Sequence, residues 1–97
     1  FGLLGGLLPE DQGGVGLDYL TYCTLLCELS QVWPSLRSIV STSNLVLMIV
    51  AQHGTAEQQE RWLGDLVSGR KTAFFALTEP NVGSDASNVE TRACLRF

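Results

Sequence analysis

Between Glu28 and Glu57 the chain carries a single formal charge, Arg37. Inside that stretch residues 45–51, Leu-Val-Leu-Met-Ile-Val-Ala, are apolar without a break. A helix that is apolar all round is buried on most sides. The fold is therefore expected to pack around this segment. The uninterrupted run is far shorter than the roughly 20 residues that span a bilayer, so it reads as a core helix and not as a transmembrane segment. Its first half differs, because Ser38, Ser41, Thr42, Ser43 and Asn44 are small and polar. Ser35 is a candidate cap for a helix over 36–53, and Gly54 is a candidate stop.

Two further helices flank it. Asp18 caps a helix over 19–32, whose apolar stripe is Tyr22, Leu25, Leu26, Leu29, Val32 and Trp33 at the 3.6-residue spacing. Pro34 ends it, since the residue before a proline is pushed out of helical geometry. Thr55 and Gln58 have the spacing of a capping box and open a helix over 56–68. That helix is expected to bury Trp62, Leu63, Leu66 and Val67, to hold a Glu57–Arg61 pair on its wet face, and to end at Gly69. Residues 1–8 alternate Leu and Gly and read as the end of a helix, and 9–16 as a turn-rich loop. Residues 72–77 read as a short buried strand, 78–88 as a loop and 89–97 as a second strand. The expected class is mainly α with a short β segment. A helical unit over 1–70 would lead into a β unit over 71–97, with a thin core and unpaired strand edges.

Composition narrows the function. Six Lys and Arg stand against ten Asp and Glu, for a net charge of −4. That balance lacks the basic footprint of nucleic-acid binding and the basic patch that holds a chain to anionic lipid. Charged residues make up 16% of the chain, against a usual value of about 25%. Much of the surface is therefore expected to face other protein, a ligand or further chain. The N-terminal residues show no basic region of a secretory signal. Cys23 and Cys27 fall on one helix face, but no nearby His, Asp or further Cys completes a metal site. With Cys94 they are expected to be packed, reduced thiols of an intracellular protein. His53 sits where it complements a helix dipole. Trp33 and Trp62 continue apolar stripes and read as core or interface residues.

The densest candidate site is Phe75-Ala76-Leu77-Thr78-Glu79-Pro80-Asn81-Val82-Gly83-Ser84-Asp85-Ala86. A Thr hydroxyl and free backbone amides enter a loop with Pro, Gly and Ser, and such a loop can bind carbonyl, ring-nitrogen or phosphate atoms. On the residues alone a plain turn is the favoured reading, since Gly-Ser-Asp is common in loops. Leu77-Thr78-Glu79-Pro80 followed by Gly83-Ser84-Asp85 resembles the flavin-binding signature of the acyl-CoA dehydrogenases. The Pro-Glu-x-x-Gly-Gly-x-Gly loop from Pro9 to Gly16, the stretch from His53 to Gln58, Trp62-Leu63 and Ser68-Gly69 agree with it in order. Val82 departs from the small residue usual there.

The resemblance implies an FAD enzyme with a helical N-terminal domain, a β-barrel middle domain and a helical C-terminal domain. It implies oxidation of an acyl-CoA thioester between Cα and Cβ, with electron-transfer flavoprotein or another acceptor as partner, and a homo-oligomer in the cytoplasm or mitochondrial matrix. Phe75, Ala76, Leu77, Thr78, Glu79, Pro80, Asn81, Val82, Gly83 and Ser84 would line the flavin. Thr78 would bond it, and Ser84 would lie between flavin and thioester. The cofactor carries the chemistry and the protein orients it. The family's catalytic carboxylate lies in the C-terminal domain. No acidic residue of this chain is assigned as a base, so the chain alone is expected not to turn over.

Arg37 and Ser38 point to a subfamily. A guanidinium beside an apolar helix needs an anion or a route to water. Leu36-Arg37-Ser38 and Glu90-Thr91-Arg92-Ala93 are similar to the glutaryl-CoA dehydrogenases, where an Arg and a Ser hold the distal carboxylate of the substrate. The dehydrogenases of polyketide extender-unit synthesis, which act on acyl-carrier-protein thioesters, share these features. An inert truncated scaffold of the same fold is the rival from another class.

Overall fold

A computed structural model describes residues 2–95. Its described residues hold three α-helices and two short 3-10 turns, Glu10–Gln12 and Ala86–Asn88, and no strand. Helix α1 is Tyr19–Val32, α2 is Pro34–His53 and α3 is Ala56–Val67. Asp18 caps α1, accepting from the Thr21 amide at 3.0 Å and from its hydroxyl at 2.6 Å. Trp33 closes α1 and opens α2, and Pro34 occupies the first turn of α2. A proline is preorganised there, because its missing N–H would have had no partner. The cap is therefore Trp33, and Ser35 lies inside the helix. Gly54 ends α2 in an extended conformation, φ −71°, ψ 149°, where a glycine stop usually turns left-handed. A Cβ at Gly54 would stand 2.4 Å from the Val50 carbonyl oxygen, so close approach excludes a side chain there. Thr55 and Gln58 form the expected capping box: the Thr55 amide donates to Gln58 Oε1 at 2.9 Å and the Gln58 amide to Thr55 Oγ1 at 3.3 Å.

Helix α2 is the central element and packs against both α1 and α3. Leu47 of α2 with Leu63 and Leu66 of α3 forms the core, flanked by Val50, Ala51, Trp62, Val67 and Ala73. The expected helical end at residues 1–8 is instead a compact set of turns. Gly5 has φ +77°, a left-handed conformation that favours glycine. Leu8 is fully buried beneath the loop. A Cβ at Gly14 would lie 2.0 Å from the Leu8 carbonyl oxygen, so no other residue fits that crossing. Asn44, 2% exposed, joins this loop to α2. Its Oδ1 accepts from the Gly6 amide at 3.0 Å, and its Nδ2 donates to Leu3 O and Val40 O, each at 2.9 Å.

Several expectations are corrected. The buried residues of α2 are Val40, Asn44 and Leu47, one stripe, while Leu45 and Ile49 are exposed. By length and composition α2 could cross a membrane, a property shared by core helices of folded domains. Residues 72–77 form no strand, and Phe74, Phe75 and Leu77 are exposed. Strand backbone requires a partner for its amides and carbonyls, and no such partner lies among the described residues. Residues 89–95 are likewise irregular, and 96–97 of the second expected strand lie outside the described residues. All three cysteines are free and exposed, not packed. Trp33 and Val32 are exposed, so the inward stripe of α1 ends before them. Glu57 and Arg61 make no ion pair among the described residues; Arg61 and Lys71 instead lie 4.8 Å from the Trp62 ring centroid. Asp65 pairs with both Arg70 and Lys71 at 2.7 Å, and these bonds, Lys71 first, hold its carboxyl below its ordinary pKa.

Candidate functional site

The segment that leaves α3 toward the Thr-Glu-Pro motif has open hydrogen-bonding capacity. Among the described residues, the backbone of 72–78 makes no hydrogen bond, and Thr78 is exposed. Beyond it the loop holds itself. Glu79 and Val82 exchange backbone bonds of 2.9 and 3.2 Å, closing a turn around Pro80 and Asn81. Val82 is buried under this turn, which gives the unusual side chain a packing role. The Glu79 carboxylate accepts from the Thr91 hydroxyl, from the Glu90 amide at 2.7 Å and from the Thr91 amide at 2.9 Å. The Thr91 hydroxyl, then the Glu90 amide, hold its carboxyl below the usual glutamate value. Asn81 Nδ2 reaches Glu90 Oε2 at 3.4 Å. Asp85 accepts from Ser87 Oγ at 2.6 Å and from Asn88 Nδ2, which lowers its pKa in the same way. Gly83 and Ser84 lie exposed between these two clamps.

Glu79 is thus a clamp. An ionised carboxylate already accepting three donors is a poor proton acceptor. Sequence reasoning placed Glu79 among the ligand-lining residues and missed this. The signal was the Glu90-Thr91 pair, but its distance along the chain gave no hint of contact.

A cavity of about 390 Å³ joins α2 to the segment entering the loop. Its walls are Ser38, Ile39, Thr42 and Ser43 on the helix and Thr72, Ala73 and Phe74 opposite. Ser38 therefore faces the approach to the Thr-Glu-Pro motif, its hydroxyl donating to Pro34 O at 3.3 Å. Arg37 does not share this cavity. It lines another, of about 290 Å³, with Cys23, Leu26, Cys27, Ser30 and Ser41. Arg37 is exposed and makes no ion pair among the described residues, so water solvates it within this chain. Neither Ser84 nor Phe75 forms part of either wall.

A third cavity, between α1 and α2, borders Tyr22 and Asn44. The buried Tyr22 hydroxyl has no hydrogen-bond partner in range among the described residues. Burial raises its pKa, with the nearby Asn44 amide acting in the opposite sense. Among the described residues no three His, Cys, Asp or Glu side chains gather to hold a metal ion.

Comparison with known proteins agrees with this helical unit. The family described as "Acyl-CoA dehydrogenase, N-terminal domain" matches residues 1–70. The chain is 42% identical over 93 residues to "Short-chain specific acyl-CoA dehydrogenase, mitochondrial" of Homo sapiens, covering 95% of this chain and 23% of that protein. It is 37% identical over 94 residues to "Isovaleryl-CoA dehydrogenase, mitochondrial" of Solanum tuberosum, covering 96% and 23%. It is 35% identical over 96 residues to "Acyl-CoA dehydrogenase, short-chain specific" of Clostridium acetobutylicum, covering 98% and 25%. The chain thus spans about a quarter of the length of the curated relatives it matches. The family match takes in the loop locked by Asn44 and all three helices, and on that ground the chain belongs to the acyl-CoA dehydrogenases, as part of their N-terminal domain.

Proposed function

We propose that this chain forms part of an FAD-dependent dehydrogenase that oxidises a short acyl-CoA thioester between Cα and Cβ. The observation that carries the reading is the cavity joining Ser38, Ile39, Thr42 and Ser43 of α2 to Thr72, Ala73 and Phe74. It is largely apolar, sized for a short acyl chain, and adjoins the segment 75–84. The names of the relatives, short-chain and isovaleryl, favour a small monocarboxylic acyl group. Residues 71–97 would lead into a middle β domain. The word mitochondrial in the names of two relatives favours a mitochondrial location over the cytoplasm. The whole protein is read as a homo-oligomer that passes electrons to an electron-transfer flavoprotein or another acceptor.

The residues present fit a flavin. The unpartnered backbone of 72–78 and the exposed Thr78 hydroxyl offer donors and acceptors to the polar edge of the isoalloxazine ring. Residues Phe75 to Ser84 would line that ring, with the Glu79 clamp holding the loop's shape and Ser84 on the thioester side. When bound, FAD supplies the two-electron acceptor. The chain's own part is to orient the acyl group along Ile39 and Phe74, and to keep Glu79 ionised and engaged. The α-proton is left to a base outside these residues.

The test uses the complete protein that carries this chain. Thr78→Ala should weaken FAD retention about 10- to 10²-fold, the loss of one buried hydrogen bond at about 1–3 kcal/mol. Unchanged flavin affinity and spectrum would contradict the assignment of Thr78. A complete protein without flavin absorption or turnover on any short acyl-CoA would favour the inert scaffold.

A second reading rests on Arg37, a guanidinium without an ion pair among the described residues. In this reading the substrate is dicarboxylic, of the glutaryl type, or a carrier-protein thioester, and Arg37 with Ser38 meets its free end. The two side chains line different cavities, so a substrate contacting both must pass over the N-terminal end of α2. A charge-assisted bond contributes about 1.5–3 kcal/mol, so Arg37→Met would lower kcat/KM on a glutaryl thioester about 10- to 10²-fold. It would spare a monocarboxylic thioester of equal length. Equal effects on both would make Arg37 structural.

A further inference from the structure

Cys23 and Cys27 are one turn apart on α1, reduced and exposed, and both line the same open cavity beside α2. The acyl-CoA reading makes no use of them. Residues i and i+4 of a helix place their Cβ atoms about 5–6 Å apart, and rotation about each Cα–Cβ bond brings two sulfurs to a shared ligand. The helix is capped at its start by Asp18, so the spacing is held by the fold.

We propose that Cys23 and Cys27 form a dithiol site for a thiophilic centre satisfied by two protein sulfurs, and that its ligand class is a trivalent arsenical. Three features select that class. Thiolates favour soft centres over hard cations. Zinc in a structural site takes four protein ligands, and no third His, Cys, Asp or Glu joins these two among the described residues. The only charged residue on the cavity wall is Arg37, which repels a dication and not a neutral arsenical. The cavity, about 290 Å³, has room for one aryl group beside Leu26, with Ser30 and Ser41 on its wall.

The reaction balances without an oxidant or reductant. An organoarsenous oxide, R–As=O, meets two thiols. Two As–S bonds form and the bonds from arsenic to oxygen break. The two thiol protons leave with the oxygen as water, and arsenic stays trivalent.

The test is phenylarsine oxide on the complete protein that carries this chain. Mass spectrometry should place one phenylarsenic on the peptide that holds Cys23 and Cys27, and thiol titration should show two fewer free thiols per chain. Ethanedithiol should release the adduct. Cys23→Ser and Cys27→Ser should each weaken uptake about 10²-fold, the loss expected when a chelate becomes a single contact. Cys94→Ser should leave uptake unchanged, and circular dichroism should show the helical signal kept in the adduct. Loss of uptake in Cys94→Ser, or full-strength uptake in either single α1 variant, would overturn the proposal. So would equal affinity in urea-unfolded chain, because the helix would then contribute nothing.

Discussion

Replacing Asn44 by Ala removes the side chain whose hydrogen bonds tie Leu3 and Gly6 of the N-terminal turns to the central helix. The cost follows from its three bonds. The Val40 carbonyl keeps its place in the helix, so that loss is small. The Gly6 amide is buried and has no other acceptor among the described residues, and leaving it unpaired costs about 1–3 kcal/mol. The Leu3 carbonyl is half-buried and recovers part of its bond from water, at a loss of about 1 kcal/mol. The total is about 2–4 kcal/mol, a large share of the 5–15 kcal/mol that holds a typical domain. Hydrogen exchange at the Gly6 amide reads the opening locally. In Asn44→Ala that amide should exchange about 30- to 10³-fold faster, since 1.36 kcal/mol is a factor of ten. Asn44→Asp keeps an acceptor for Gly6 but sets a carboxylate against the Leu3 carbonyl, so it should also open the loop. Gly6 protection unchanged in Asn44→Ala would refute the reasoning.

Gly14→Ala should destabilise the same loop, because the new Cβ would meet the Leu8 carbonyl at 2.0 Å; an unaltered melting temperature would contradict that crossing. Glu79→Gln should loosen the 79–91 loop and flatten its pH response. The Glu79 pKa is lowered in the fold, so its contribution is full above the ordinary glutamate value and lost as pH falls through the native one. Exchange at the Glu90 and Thr91 amides between pH 3 and 6, about that range, checks this, and a parent and variant with the same profile would contradict it. The isolated chain exposes Leu20, Trp33, Ile39 and Phe74 and should self-associate; light scattering from a dilute monomer with a cooperative thermal transition would refute this.

What the sequence made legible was local. Asp18, Pro34 and the Thr55–Gln58 box mark helix ends through contacts a few residues apart, and all three helices fall where those signals place them, within two residues. Misreadings arose where a partner was distant. Residues 72–77 have strand composition, but a strand exists only with a neighbour to bond. The Leu-Gly alternation at the N-terminus has no helix because Gly5 takes a left-handed turn and Asn44, far along the chain, fixes the loop. The apolar run of α2 reads as buried on most sides, yet Leu45 and Ile49 are exposed and, of the run, Leu47 alone is fully buried, with Val50 and Ala51 packed beside it. At the candidate site, the motif 75–84 was visible as a unit, while the Glu79 clamp and the separation of Arg37 from Ser38 depend on where the chain returns.

Adjacent residues on a helix are about 100° apart, and that angle makes α2 a partition. Ser38 faces one compartment and Arg37 another, with Asn44 aimed at a third neighbour. Point substitutions along α2 can therefore retune each compartment separately. A deletion or insertion in its first turns would instead rotate every downstream side chain into the wrong compartment and pull Asn44 off Gly6. The junction offers no slack to absorb it, since Trp33 alone ends one helix and begins the next. Homologous segments should be exchangeable here only at equal length, and natural length variation should collect around the exposed loop tip at Asp11 to Gly13 instead.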